Sequence, residues 1–293
     1  MPRFFLVAFA VVFLNALARG QPSASAVSVA GRNRDEGSFE VFTKAPDVPG
    51  EYPVVIWFNG FQSRYAWYET LLNKVVENGY ITVSYQVPGM MDVATELSTR
   101  VDPLLSFIAS GALDDALPAD VRANATAIFT AGHSRGGKVA SLAYSSNEGV
   151  TNAVLVDPVD SSMFAPVSEE NPSAVESLRA SGKTISVVGA GVEGSCNPSE
   201  GNYERFFEAA AGGSWELVIK GAGHAQFLDA GGLLNRVQDG LCGAGDRNRD
   251  DVADLVAADI VAWFSGNEAT KVAFMDDVDQ DEGVKFLVSR SLM

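Results

Sequence analysis

Residues 132 to 138 read Gly-His-Ser-Arg-Gly-Gly-Lys. Ser134 has a glycine two positions away on each side. An apolar run, 127–131, precedes it, and a helix-forming stretch opens at Lys138, Val139 and Ala140. A serine on a tight strand-to-helix turn has its hydroxyl lifted clear of the sheet, and only small residues fit beside such a turn. The N-terminus of the following helix favours negative charge that develops next to it. The spacing points to a nucleophilic serine; the competing reading is a serine in an ordinary glycine-rich turn.

A serine hydroxyl is a weak nucleophile and needs a base within hydrogen-bond reach. The chain has two histidines, His133 and His224. In such a turn the residue before the serine points away from the site, so His133 is a poor base despite its adjacency. His224 follows the apolar run 215–219 through Lys220-Gly221-Ala222-Gly223. That is a glycine-bearing loop at the C-terminal end of a strand, where α/β sheets place their sites. Serine before histidine is also the fitting order.

A carboxylate must orient the imidazole and stabilise its charged form. Asp157 closes the apolar run 152–156, Glu193 follows the next strand, and Asp160 lies three residues beyond Asp157. Position alone leaves Asp157 and Glu193 level, with Asp160 behind them. An oxyanion hole needs backbone N–H groups. One would come from Arg135, directly after the serine, and one from Phe61, in the turn after the strand 53–58. The flanks of these loops are apolar. Trp57, Phe58, Met163, Phe164 and Phe227 are the candidates for a mouth that accepts a large apolar group; burial in the core is the competing reading for each.

Several elements must position these residues. Apolar runs at 39–43, 53–58, 80–86, 127–131, 152–156, 184–189 and 215–219 read as strands. Helical patterns fall at 65–77, 93–110 with a break at Pro103, 138–145, 172–181, 202–211 and 253–265. Strands alternating with helices predict an α/β fold, a mostly parallel central sheet with helices on both faces. Residues 1–18, with Arg3 before an apolar run, fit a signal peptide, with an uncleaved anchor as the rival. Residues 19–37 are transit-like or a linker: four arginines and no acid precede Asp35. A signal followed by a transit-like segment suggests import into a plastid, with a secreted or endomembrane location as the alternative. The catalytic domain is placed at 38–267 and an acidic C-terminal tail at 268–293, with a strand-like run at 284–288.

The 293 residues are 47% hydrophobic, enough for a large core, and carry a net charge of −16. That balance repels phosphate backbones and argues against nucleic acid as a partner. Cys196 and Cys242, the only cysteines, allow at most one disulfide and cannot by themselves form a structural zinc site; paired and reduced states are both open. Asp246-Arg247-Asn248-Arg249-Asp250 matches the start of a calcium loop. It has Asp251 in place of the sixth-position glycine and Ala257 in place of the twelfth-position glutamate, so it reads as a solvated charge run. Asn124-Ala125-Thr126 is a glycosylation sequon, usable only on the secretory route. The chemistry requires no metal and no cofactor.

With these residues placed, the chain resembles the chlorophyllase family, a branch of the α/β-hydrolase fold. Gly132–Lys138 matches the family's serine turn throughout, and Asp157-Pro158-Val159-Asp160 matches its acid motif. Cys196-Asn197-Pro198 with Phe206-Phe207, Gly223-His224 with Leu228-Asp229, and Cys242-Gly243 are similar to weaker family elements. The resemblance runs in order from about Pro53 to Ser265. It implies Asp157 as the acid, and hydrolysis of the phytyl ester of chlorophyll to chlorophyllide and phytol. Two departures stand out. Asn59-Gly60-Phe61 replaces the family's His-Gly-Phe, and the segment after His224 lacks the family's usual acids. The alternatives are a serine esterase of the same fold acting on other lipids or small acyl esters, and a non-catalytic pigment or lipid carrier. The expected partner is chlorophyll or a similar hydrophobic ester, with peripheral membrane contact possible for so apolar a substrate.

Overall fold

Along the strand Gly50–Phe58 (β3) alternate side chains enter two different cores. Val54, Ile56 and Phe58 pack on one face of the sheet, and Val55 and Trp57 on the other. A strand buried on both faces needs helical cover on both sides, and the chain supplies it. The computed structural model describes residues 23–30, 37–163, 165–229, 239–240 and 242–289. The signal-peptide expectation at 1–18 lies outside them.

The remaining strands are Ser23–Ala30 (β1), Ser38–Ala45 (β2), Ile81–Tyr85 (β4), Val121–His133 (β5), Val150–Val156 (β6), Ser186–Val192 (β7), Trp215–Gly223 (β8) and Val284–Val288 (β9). They form one sheet in the order β1-β2-β4-β3-β5-β6-β7-β8-β9. From β4 to β8 all pairings are parallel; β1, β2 and β9 pair antiparallel at the edges. This is the α/β-hydrolase fold. From β3 the chain crosses to β4 on one side and then to β5 on the other. The order therefore reverses between β3 and β5, and a crevice opens at their C-terminal ends.

The helices are Glu69–Glu77 (α1), Val93–Glu96 (α2), Asp102–Ala109 (α3), Arg135–Ser146 (α4), Ala174–Ser181 (α5), Tyr203–Ala209 (α6), Arg249–Phe264 (α7) and Glu268–Asp279 (α8). One core lies under α3, α4, α5 and α6, the other under α1, α7 and α8. The break expected at Pro103 is a wide π turn, Leu97–Val101, between α2 and α3. Proline has no N–H to offer the carbonyl four residues back, and the widened turn accommodates that loss.

Two segments differ from the sequence expectation. The stretch read as transit-like or linker contains β1, which pairs with β2 over its full length, Ser23 opposite Ala45 to Ala30 opposite Ser38. The sheet thus begins before residue 38. The segment read as an acidic tail is built into the fold. Helix α8 buries Phe274 and Val278, and β9 pairs with β8. The acids mask this segment in the sequence because they occupy its outer face, while a few apolar residues dock it.

Candidate active site

The chain leaves β5 and enters α4 through a single residue, Ser134, with φ 58° and ψ −124°. This left-handed backbone is costly for a residue with a side chain and persists only where neighbours over-determine it. Here Ser134 N–H donates to Val156 O at 3.0 Å, and Ser134 O accepts from Gly137, Lys138 and Val159. The flanking glycines are required by contact. A Cβ on Gly136 would lie 2.0 Å from Phe58 O, and one on Gly132 would lie 2.5 Å from Gly136 O.

His224, first residue of a short 3-10 turn after β8, brings Nε2 to 2.9 Å from Ser134 Oγ and Nδ1 to 2.6 Å from Asp157 Oδ2. A carboxylate only accepts, so Nδ1 carries the proton and Nε2 is left to accept from the serine hydroxyl. Asp157 is fully buried and also has a positive φ, 39°. Its Oδ1 accepts from Ala190 N–H at 3.0 Å and its Oδ2 from Asn197 Nδ2 at 3.1 Å. These bonds satisfy a charge that would otherwise be costly to bury.

The other two acids are elsewhere. Glu193 is exposed and accepts from Ser199 N–H. Asp160 is buried, accepts from Ser173 Oγ and Ala174 N–H, and lies 3.6 Å from Lys138 Nζ. The last residue of the serine turn is thereby joined to the last residue of Asp-Pro-Val-Asp. Burial lowers the pKa of Lys138, and the Asp160 charge opposes that shift.

His133 does not face Ser134. It is buried, with Nδ1 at 3.0 Å from Tyr68 Oη and Nε2 at 3.0 Å from His224 O. Burial, and then the neighbouring His224, hold its pKa well below the ordinary histidine value.

Phe61 lies in a turn closed by Ser63 N–H to Gly60 O, with Gln62 at φ 53°. Arg135 is the first residue of α4, so its N–H has no partner within the helix. The Arg135 guanidinium pairs with buried Glu96 and donates to Met91 O at 2.8 Å; Glu96 in turn accepts from Tyr85. Asn59 Nδ2 donates to Tyr85 O at 2.9 Å and to Ser84 Oγ at 3.3 Å.

The cavity beside this turn is lined by Asn59, Phe61, Gln62, Gln86, Met91 and Arg135, among others. Of the mouth candidates, Trp57 and Phe58 belong to the core, because β3 is a central strand. Phe227 is buried against His133, ring centroids 5.5 Å apart. Met163 is 87% exposed, as are Met90 (75%) and Phe61 (51%). Phe164 lies outside the described residues.

Sequence reasoning missed Asn197, Tyr68, Gln226 and Glu96. Gln226 accepts from Gly223 N–H at 2.6 Å and donates to Arg247 O, bracing the His224 turn. Cys196 and Cys242 form a disulfide, Cα atoms 4.8 Å apart, which ties the loop carrying Asn197 to the segment beyond His224. The arginines of the run at 246–250, expected to be solvated, are instead part-buried and paired. Arg247 pairs with Asp281, Arg249 with Asp239, and Asn248 caps α7.

The comparisons with known proteins agree in direction. The family model described as chlorophyllase matches residues 12–285. Chlorophyllase-2 of Arabidopsis thaliana is 27% identical over 273 residues, covering 84% of each chain. Chlorophyllase-1 of the same plant is 29% identical over 242 residues, 75% of this chain and 73% of the relative. Chlorophyllase-1, chloroplastic, of Citrus unshiu is 24% identical over 235 residues, 75% and 69% of the two chains. With its family model covering nearly the whole chain, this protein belongs to the chlorophyllase family.

Proposed function

We propose that this ester hydrolase cleaves the phytyl ester of chlorophyll through a Ser134–His224–Asp157 triad. One observation carries the reading: the unbroken hydrogen-bonded line from Ser134 Oγ through both ring nitrogens of His224 to Asp157.

Ser134 Oγ attacks the ester carbonyl as His224 Nε2 takes the hydroxyl proton. Asp157 stays ionised and stabilises the imidazolium. The tetrahedral oxyanion sits against the N–H groups of Arg135 and Phe61; one such donor is typically worth about 2.7–4 kcal/mol in the transition state. The C–O bond to the alcohol breaks and His224 returns its proton to the leaving phytol oxygen. Water, deprotonated by His224, then attacks the acyl-enzyme and releases the chlorophyllide acid and Ser134. Every proton taken is returned, and no further reactant than water is consumed.

The exposed apolar side chains Phe61, Met90 and Met163, on the segments that follow β3, β4 and β6, support a large hydrophobic substrate and contact with the lipid surface that holds it. Relatives named as chloroplastic support a plastid location. The test is incubation of the purified protein with chlorophyll and chromatography of the products. Chlorophyllide and phytol are expected, and none with Ser134→Ala. Cleavage of p-nitrophenyl esters without chlorophyllide would move the substrate to another lipid ester and leave the mechanism standing. Pigment binding without any turnover would support a carrier instead.

A further inference from the structure

We infer that His133 and Tyr68 are positioning residues that lock the oxyanion turn to the base histidine through one directed hydrogen-bond chain. The inference rests on the roles proposed above for Ser134, His224 and Phe61.

The chain has three links. Gly60 N–H meets Tyr68 Oη at 3.0 Å, Tyr68 Oη meets His133 Nδ1 at 3.0 Å, and His133 Nε2 meets His224 O at 3.0 Å. The chemistry of its two ends sets its direction. A backbone carbonyl only accepts, so His133 Nε2 carries a proton. A backbone N–H only donates, so Tyr68 Oη accepts from Gly60 and is free to donate to His133 Nδ1. Both links hold with a neutral Nε2–H ring, and the burial that lowers the His133 pKa favours that neutral form. Tyr68 and His133 are buried, and their rings pack on Trp57 and Phe227. Nearby water is therefore a poor substitute for any link.

The chain joins two parts that the sheet leaves apart. The turn after β3 carries Phe61 and the loop after β8 carries His224; three strands separate them. A turn with Gln62 at positive φ needs outside support to persist, and Tyr68 supplies it at Gly60. A side chain at position 60 would press on Tyr68 Oη, His133 Nδ1 and Ser63 Oγ at 3.1–3.3 Å. This also accounts for a histidine beside the nucleophile that takes no part in proton transfer: both of its nitrogens are committed.

The test uses Tyr68→Phe, His133→Phe, His133→Gln and His133→Asn. The rate on a p-nitrophenyl ester is divided by the number of Ser134 sites titrated with a fluorophosphonate, so that misfolded protein does not count. Tyr68→Phe and His133→Phe are each expected to lower kcat per site by about tenfold to a hundredfold, the usual consequence of a buried polar partner left unpaired. KM stays within about twofold, because neither group touches the substrate. His133→Gln places an amide N–H where Nε2 was and regains most of kcat. His133→Asn reaches only the Nδ1 position and does not. The double variant Tyr68→Phe/His133→Phe falls no further than the worse single, as for members of one chain. A kcat per site within about twofold of wild type in His133→Phe overturns the inference, and so does equal failure of His133→Gln and His133→Phe. Should His133→Phe not fold, nitrogen-15 spectra of the wild-type ring still decide. An Nε2–H tautomer unchanged between about pH 5 and 8 is expected; an Nδ1–H or cationic ring overturns the inference. Activity in Ser134→Ala would instead overturn the triad itself, so the two failures are distinguishable.

Discussion

The C-terminal edge of the sheet and the layer formed by α7, α8 and β9 are built on opposite terms. At the edge buried polar groups cluster: Asn59, His133, Asp157, Asn197 and His224. Each main component is held by several partners, and three of the four non-glycine residues with positive φ among those described (Gln62, Ser134, Asp157) sit there. In the other layer Trp263, Phe274 and Phe286 pack with Trp215 of β8, ring centroids 4.9–5.9 Å apart and three of the four contacts edge to face. That layer has ordinary backbone and one buried carboxylate, Asp259, whose hydrogen-bond partner is Ser186. The difference teaches where stability and reactivity are separated. Strain and desolvated charge are concentrated around Ser134, and apolar packing remote from it offsets their cost.

The comparison breaks most sharply at Ser134. Ser134→Ala should lower kcat by roughly a million-fold, as for other serine triads, with an unchanged circular dichroism spectrum. Measurable hydrolysis at the wild-type rate would end the reading of the edge as a reactive site. Asp157→Asn should cost about 10⁴ in kcat by favouring the wrong imidazole tautomer, while Glu193→Gln leaves the rate within about twofold. The reverse ranking would move the acid to the next strand.

Trp215→Ala tests the other layer. It should destabilise the fold by about 3–5 kcal/mol in denaturant titration, yet leave kcat per titrated site unaltered. A parallel fall in kcat would show that the two regions are not separate.

Asp259 provides the pH test. Burial raises its carboxyl from 3.8 to about 7. The folded state therefore binds this proton more tightly than the unfolded chain, and stability falls as pH rises from about 4 to about 7, then levels. Asp259→Asn should remove that slope, raising stability by about 2–4 kcal/mol at pH 8 and little at pH 4; an equal gain at both pH values would rule out the carboxylate as the cause. Asn197→Ala should cost the least, about 1–3 kcal/mol in transition-state stabilisation, since Asp157 keeps its bonds to Ala190 and His224. Unchanged kcat would reduce Asn197 to a loop contact.

Much of the site was legible because its constraints are local or exclusive. A serine with glycines at two positions on either side, between a strand and a helix, has few other uses. With His133 pointing away, His224 is the only other histidine the sequence offers as a candidate base. The acid was not legible from position, since Asp157 and Glu193 both end strands; the family resemblance favoured Asp157, and the geometry places it on His224. The apolar candidates were mixed because an aromatic on a central strand and one on a rim look alike in sequence. Trp57 and Phe58 are core, whereas Met163 is at the surface. The outer strand β1 was missed because an edge strand needs few apolar residues to pair, whereas the strand-like run at 284–288 is β9.

What the sequence determined by itself is the alternation of strands and helices, the strained serine turn and the scarcity of histidines, all of which follow from local sterics and composition. Tertiary structure alone decided which carboxylate meets His224, that Cys196 pairs with Cys242, and that Tyr68 and His133 join the turn after β3 to the loop after β8. Those pairings depend on strand order. It brings together residues as far apart in the chain as His133 and His224, 91 positions, and Thr70 and Asp229, 159 positions, and no local pattern records such a meeting.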